Sequence, residues 1–158
     1  MEDGTILEVS SSNFSAMRRH ACATFPEECC GLIIERQGHL QVVRVTNVQN
    51  QLHAKDPEQF PRTAATAYSM RWKEVELLFE AAYKGSLRLH AVYHSHPKHG
   101  AYFSEHDRAA AAGWLDDPSY AAAGQIVLAV YHGRVCRAKA FVWDAQRESY
   151  VGVPLRVK

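Results

Sequence analysis

The sequence predicts a mixed α/β (α+β) fold, one domain over residues 1–158 with a mixed β-sheet flanked by helices. Three observations predict it. The chain has 158 residues, 47% of them hydrophobic and 22% charged, the proportions of an ordinary globular domain with room for a real core. Short β-prone runs alternate with amphipathic helical stripes in the order β-α-β-β-α-β-α-β-β-β. No internal repeat, low-complexity tract or linker divides the chain.

Each element has its own signal. Thr5 to Val9 reads as a short opening strand, and Ser11 or Ser12 as the N-cap of a helix running to about Thr24, which Pro26 keeps from continuing. Phe14, Met17 and Ala21 recur at helical spacing and form its core face. Leu32-Ile33-Ile34 is a buried strand, Gln37-Gly38 a hairpin turn, and Leu40 to Val48 the return strand. Gln49 to Arg62, polar and holding Pro57 and Pro61, reads as a long loop that either borders the substrate groove or is a plain surface excursion. Tyr68, Trp72, Val75, Phe79, Ala82 and Tyr83 make the apolar stripe of a helix that stops near Gly85. A strand then runs from Leu87 or Arg88 to His94, and the run Ala109 to Ala112 is helical. After a loop at Asp116-Asp117-Pro118-Ser119, three strands close the chain: Gln125 to Tyr131, Arg134 to Trp143 and Ser149 to Leu155, the first two joined at His132-Gly133. In the middle one Cys136, Ala138, Ala140 and Val142 share a face opposite Arg137 and Lys139.

The bulk numbers exclude several classes. Lys plus Arg at 18 against Asp plus Glu at 17 leaves +1, no footprint for a nucleic acid or an anionic membrane. No apolar run approaches the ~20 residues of a membrane span, and Met1-Glu2-Asp3-Gly4 is no signal-peptide start, so a cytoplasmic protein is expected. Cys29 and Cys30 are adjacent while Cys22 and Cys136 stand alone, which is neither a disulfide framework nor a zinc pair. All four are expected to be reduced and mostly buried.

The chemistry concentrates in His94-Ser95-His96-Pro97 and Ser104-Glu105-His106-Asp107. Residues i and i+2 of a strand face the same way, so His94 and His96 project together. Asp107 falls in the first turn of the alanine-rich helix, where a carboxylate is favoured by the helix dipole, and the loop from Lys98 to Phe103 can fold it back onto the strand end. Two histidines and one aspartate with a fourth position for water form a catalytic type of zinc site. Ser-x-x-Asp is also a capping-box start. Two His, a Ser and an Asp at these offsets arise by chance in on the order of one chain in a thousand. Upstream, Glu27 and Glu28 precede the buried strand, where desolvation raises a carboxylate towards the range of a general base; a solvated turn is the alternative. Tyr93, Tyr102 and Phe103 flank the site in sequence, as substrate-gripping or packing residues, while His99 and His106 are expected at the surface.

Glu28-Cys29-Cys30-Gly31, His94-Ser95-His96-Pro97 and Ser104-Glu105-His106-Asp107 together resemble the JAMM or MPN-plus zinc metalloproteases, the small prokaryotic members in particular. The resemblance covers nearly the whole chain with all spacings intact. It implies an MPN-type domain in which one Zn²⁺ with its catalytic water is held by His94, His96 and Asp107. It also implies Glu28 as general base and acid, chosen over Glu27 by its distance to Gly31, and Ser104 as the hydroxyl that steadies the oxyanion. The implied substrate is a ubiquitin-like or sulfur-carrier protein with a glycine-ended tail, freed from a lysine isopeptide or trimmed of a linear extension. The insertion of linkage-selective members is absent between Trp114 and Gln125. A non-catalytic binding or assembly module, a cysteine hydrolase using Cys29 or Cys30, and a zinc deaminase are the competing classes, the last without its Pro-Cys-x-x-Cys.

Overall fold

The structure, a computed structural model, describes residues 4–158; the opening Met1, Glu2 and Asp3, on which the leader expectation rests, lie outside the described residues. The elements are β1 (Leu7–Val9), α1 (Ser11–Thr24), β2 (Cys30–Arg36), β3 (His39–Val45), α2 (Gln49–Lys55), α3 (Trp72–Lys84), β4 (Arg88–Pro97), α4 (Glu105–Ala112), α5 (Pro118–Ala122), β5 (Gly124–Tyr131), β6 (Arg134–Asp144), β7 (Ser149–Val153) and β8 (Leu155–Val157). Six strands form one mixed sheet in the order β3-β2-β4-β5-β6-β7, with β4 and β5 parallel and the other neighbours antiparallel. The parallel pair needs a crossover. Here α4 and α5 supply it, so the chain between His96 and Gly124 crosses one face of the sheet.

The sheet is buried on both faces. Residues such as Leu32, Val92 and Val127 pack with Val75 and Phe79 of α3, Ala111 of α4 and Tyr120 of α5. Ile33, Tyr93, Ile126 and Leu128 pack on the other side with Met17 and Ala21 of α1. A side chain at Gly31 has no room, because the Tyr93 ring from the neighbouring strand lies over it. Both hairpin turns form as read: Gln37-Gly38 and His132-Gly133 each have positive φ at both central residues.

Several expectations are corrected. Ser10, not Ser11 or Ser12, caps α1 through its hydroxyl. The long polar loop contains α2, whose residues carry no apolar period because Gln49 alone of the seven is buried. Helix α3 starts at Trp72, so Tyr68 lies before it, and Trp72 and Tyr83 are exposed. Asp117 is the N-cap of α5 with Pro118 at its first position, where a loop was expected. Pro154 splits the last strand: β7 finishes the large sheet and β8 pairs in parallel with β1. A bulge between Ala129 and Val130 displaces Cys136, which is exposed, as is Cys22, while Cys29 and Cys30 are buried; all four are free.

Candidate metal centre

β4 runs three residues beyond the expected end, to Pro97, because parallel β5 supports it where β2 no longer does. His94 and His96 therefore sit on regular strand, paired with Val127 and Ala129, and face the helical crossover. Ser95 points the opposite way and accepts a hydrogen bond from the Cys29 amide at 2.8 Å, which ties the start of β2 to the ligand strand.

Opposite them, Ser104 caps α4. Its hydroxyl accepts from the Asp107 amide at 3.0 Å, and the Asp107 carboxylate accepts from the Ser104 amide at 3.0 Å, a reciprocal capping box. The cap aims Asp107 Oδ2 at the strand. That oxygen lies 3.2 Å from His94 Nε2 and 3.1 Å from His96 Nε2, and the two nitrogens are 3.1 Å apart. All three residues are buried. Ligands around a tetrahedral ion with bonds of ~2.0–2.1 Å stand about 3.3 Å apart, so the triangle has the size a cation requires.

The Gly100 carbonyl can only accept, and it lies 3.0 Å from His96 Nδ1, so that nitrogen carries a proton and leaves Nε2 as the atom facing Asp107. His94 Nδ1 has no hydrogen-bond partner among the described residues. Its ring is held instead by Tyr68, 4.8 Å away centroid to centroid. Burial lowers the pKa of His94, against the Asp107 carboxylate, which raises it. Burial pushes Asp107 up, but hydrogen bonds and charge from the two imidazoles reverse this and hold it far below the usual carboxylate range. Neutral imidazoles and an ionised aspartate are the forms that bind a metal.

Glu28 and Ser104 line the same cavity of about 130 Å³ as His96 and Asp107. Glu28 lies just before β2, two residues ahead of Cys30, which pairs with His94. Its backbone is fixed at both ends: the amide donates to Ala64 at 2.8 Å and the carbonyl accepts from Asn47 Nδ2 at 2.9 Å. Its side chain is 3% exposed and Oε1 has no partner among the described residues. Burial, then the charge of Asp107, push its carboxyl up to about 9, with Arg62 pulling partly back. Glu27 turns to Asn50 of α2 and is not part of the cavity.

Arg62 and Thr66, from the connection after α2, complete the wall. Arg62 ends the long loop read from the sequence, whose length alone signalled it, and nothing signalled Thr66. Tyr102 is half exposed and stands edge-on to His96 at 5.1 Å. His106 is exposed, as expected, and His99, although exposed, lines the cavity. Tyr93 does not flank the site: it lies on the other face and bonds His20 at 2.7 Å. Phe103 packs between Phe141 and Tyr150.

The family of prokaryotic homologues of the JAB domain matches residues 10–144. The fold is similar to the solution structure of a protein from Desulfitobacterium hafniense, with a TM-score of 0.62 and 18% identity over 98% of this chain and 93% of that one. A solution structure from Salinibacter ruber is similar with a TM-score of 0.54 and 20% identity over 96% and 90% of the two chains. No protein of curated function matches.

Proposed function

This chain belongs to the family of prokaryotic homologues of the JAB domain, and on that premise we propose that it is a zinc-dependent metallopeptidase or isopeptidase. Its substrate in this reading is the glycine-ended tail of a ubiquitin-like or sulfur-carrier protein. The observation that carries the proposal is the buried His94–His96–Asp107 triangle, with Glu28, whose Oε1 has no partner among the described residues, lining one cavity with His96 and Asp107. His94, His96 and Asp107 would hold the ion. When bound, zinc supplies a Lewis acid and a water whose pKa falls from ~15.7 to ~7.

The protein's own groups do the rest. Glu28 takes a proton from the attacking water and returns it to the departing amine, so water is added across the C–N bond and an acid and an amine leave. Glu28 would have its raised pKa lowered towards the range of a working base by the positive charge of an ion held at His94, His96 and Asp107. Ser104 Oγ already accepts from Asp107, so its own proton is left to donate to a developing oxyanion. The Gly100 carbonyl fixes the tautomer of His96. A narrow cavity walled by Arg62 and Tyr102 suits a residue without a side chain next to the cleaved bond.

The test is intact-mass analysis of a ubiquitin-like protein offered both as a C-terminal fusion and as a lysine conjugate. Wild type is expected to cut after the terminal glycine and Glu28→Ala to cut neither. The preferred substrate separates trimming from deconjugation, and intact substrates with zinc-loaded wild type overturn the reading.

A further inference from the structure

Tyr102 walls more than the metal cavity. The same ring is a wall of two further cavities, about 430 and 510 Å³, that continue over β5, β6 and β7 on the ligand face of the sheet. The floor follows from strand register. His96 pairs with Ala129, which pairs with Arg137; Val127, beside it, pairs with Lys139; and Phe141 pairs with Gly152 of β7. Directly opposed residues share a face, so Arg137 and Lys139 stand on the side that carries the triad.

Two features mark this trough as a binding surface. Neither Arg137 nor Lys139 has an ion-pair partner among the described residues, and no acidic side chain lines either cavity. Gly152 leaves the far end bare, since a Cβ there meets nothing within 4 Å. Two cations in a concave, otherwise uncharged trough that adjoins the metal cavity at Tyr102 are complementary to anionic groups on a chain laid through it.

We propose that this trough binds an acidic, extended segment of the protein substrate on one side of the scissile bond. The inference rests on the metallopeptidase reading for the words "scissile bond" and on the trough's own residues for its charge preference. Adjacent strands are about 4.8 Å apart, which places Arg137 about 10 Å from His96, and an extended chain covers about 3.3 Å per residue. The carboxylates therefore lie about three residues from the cleaved bond, with Lys139, two strands from His94 by the same register, at the same distance beside Arg137. A net charge of +1 gives the remaining surface no comparable pull on a polyanion such as a nucleic acid.

The test is fluorescence anisotropy of labelled peptides in which Gly-Gly is followed or preceded by a run of glutamates, with glutamine peptides as controls. Wild type is expected to bind a glutamate peptide about tenfold more tightly than its control at low salt, with the difference shrinking as salt rises. Arg137→Ser/Lys139→Ser is expected to erase the difference, and Gly152→Val, which narrows the trough, to weaken binding of both sequences. Asp107→Ala is expected to keep the preference, so failure of hydrolysis and failure of this surface are read separately. Equal binding of glutamate and glutamine peptides, no binding of either, an unchanged preference in the double variant, or tighter binding of single-stranded DNA of the same charge would each overturn the proposal.

Discussion

Two buried histidine sites lie on opposite faces of the same strand pair and do opposite things. On the α1 face, His20 meets Tyr93, a neutral phenol, at 2.7 Å. On the crossover face, His94 and His96 meet the Asp107 carboxylate and each other within 3.2 Å. Burial, with Arg44 adding to it, pushes His20 down to about 4, so it stays neutral and structural. The second site gathers lone pairs on one point. What a buried imidazole does is decided by whether its partner can share a proton or only compete for a cation.

The sharpest way to break the comparison is Asp107→Ala. Metal analysis is expected to show zinc lost and peptidase activity down by more than about 10³-fold, whereas His106→Ala, at an exposed position one residue away, keeps both. Equal metal content in the two variants would remove the ligand assignment.

Next in size is Glu28→Gln. Zinc is expected to stay while turnover falls by about 10²- to 10⁴-fold. The same variant reports on stability. Glu28 goes from an ordinary 4.5 in the unfolded chain to about 9 in the folded metal-free protein, so the folded state prefers the protonated form. Its contribution is complete below 4.5 and lost as pH rises towards 9. Thermal melts of the metal-free protein are expected to fall over that window in wild type and to flatten in Glu28→Gln; parallel slopes would contradict the burial argument.

On the other face Tyr93→Phe leaves the His20 nitrogen without its partner, at a cost of about 1–2 kcal/mol in denaturant melts and no change in metal content. Because His20 is depressed from 6.5 to about 4, its contribution is present above 6.5 and lost as pH falls through that interval. His20→Phe is expected to remove this acid-side loss.

The smallest effect separates the cysteines. Cys22 and Cys136 are expected to react with iodoacetamide in the folded protein, and Cys136→Ser to change stability by less than about 0.5 kcal/mol. Cys29, its thiol pushed up to about 12 chiefly by burial, and Cys30 are expected to label only on unfolding, which peptide mass mapping reads directly. Activity blocked by alkylation at either buried cysteine would instead favour a thiol nucleophile.

The candidate metal triad was legible because its three residues fall between 94 and 107, on a strand whose alternation and a helix start whose cap are both local signals. Glu28 was harder: desolvation marked either acid, and only the resemblance chose between Glu27 and Glu28. The structure separates them through Asn47 and Ala64, contacts that no short-range pattern encodes. Helix α2 escaped because a helix with one buried residue has no apolar stripe, and α5 because five residues carry no period, although Asp117-Pro118 is a cap signal. The bulge that turns Cys136 outward is a register effect between two strands, invisible in either alone.

The parallel ribbon of β1 and β8 gives the fold a mechanical character. Leu7 enters it at one end and Val157 leaves it at the other, with Leu7 bonded to Pro154, Lys158 to Val9 and Ser11 to Lys158. Tension applied through Gly4 and Lys158 therefore drags the two strands past each other and loads these bonds together in shear, instead of peeling them one by one. Pulled from these two points, the ribbon's bonds bear the load together ahead of the six-stranded sheet behind it.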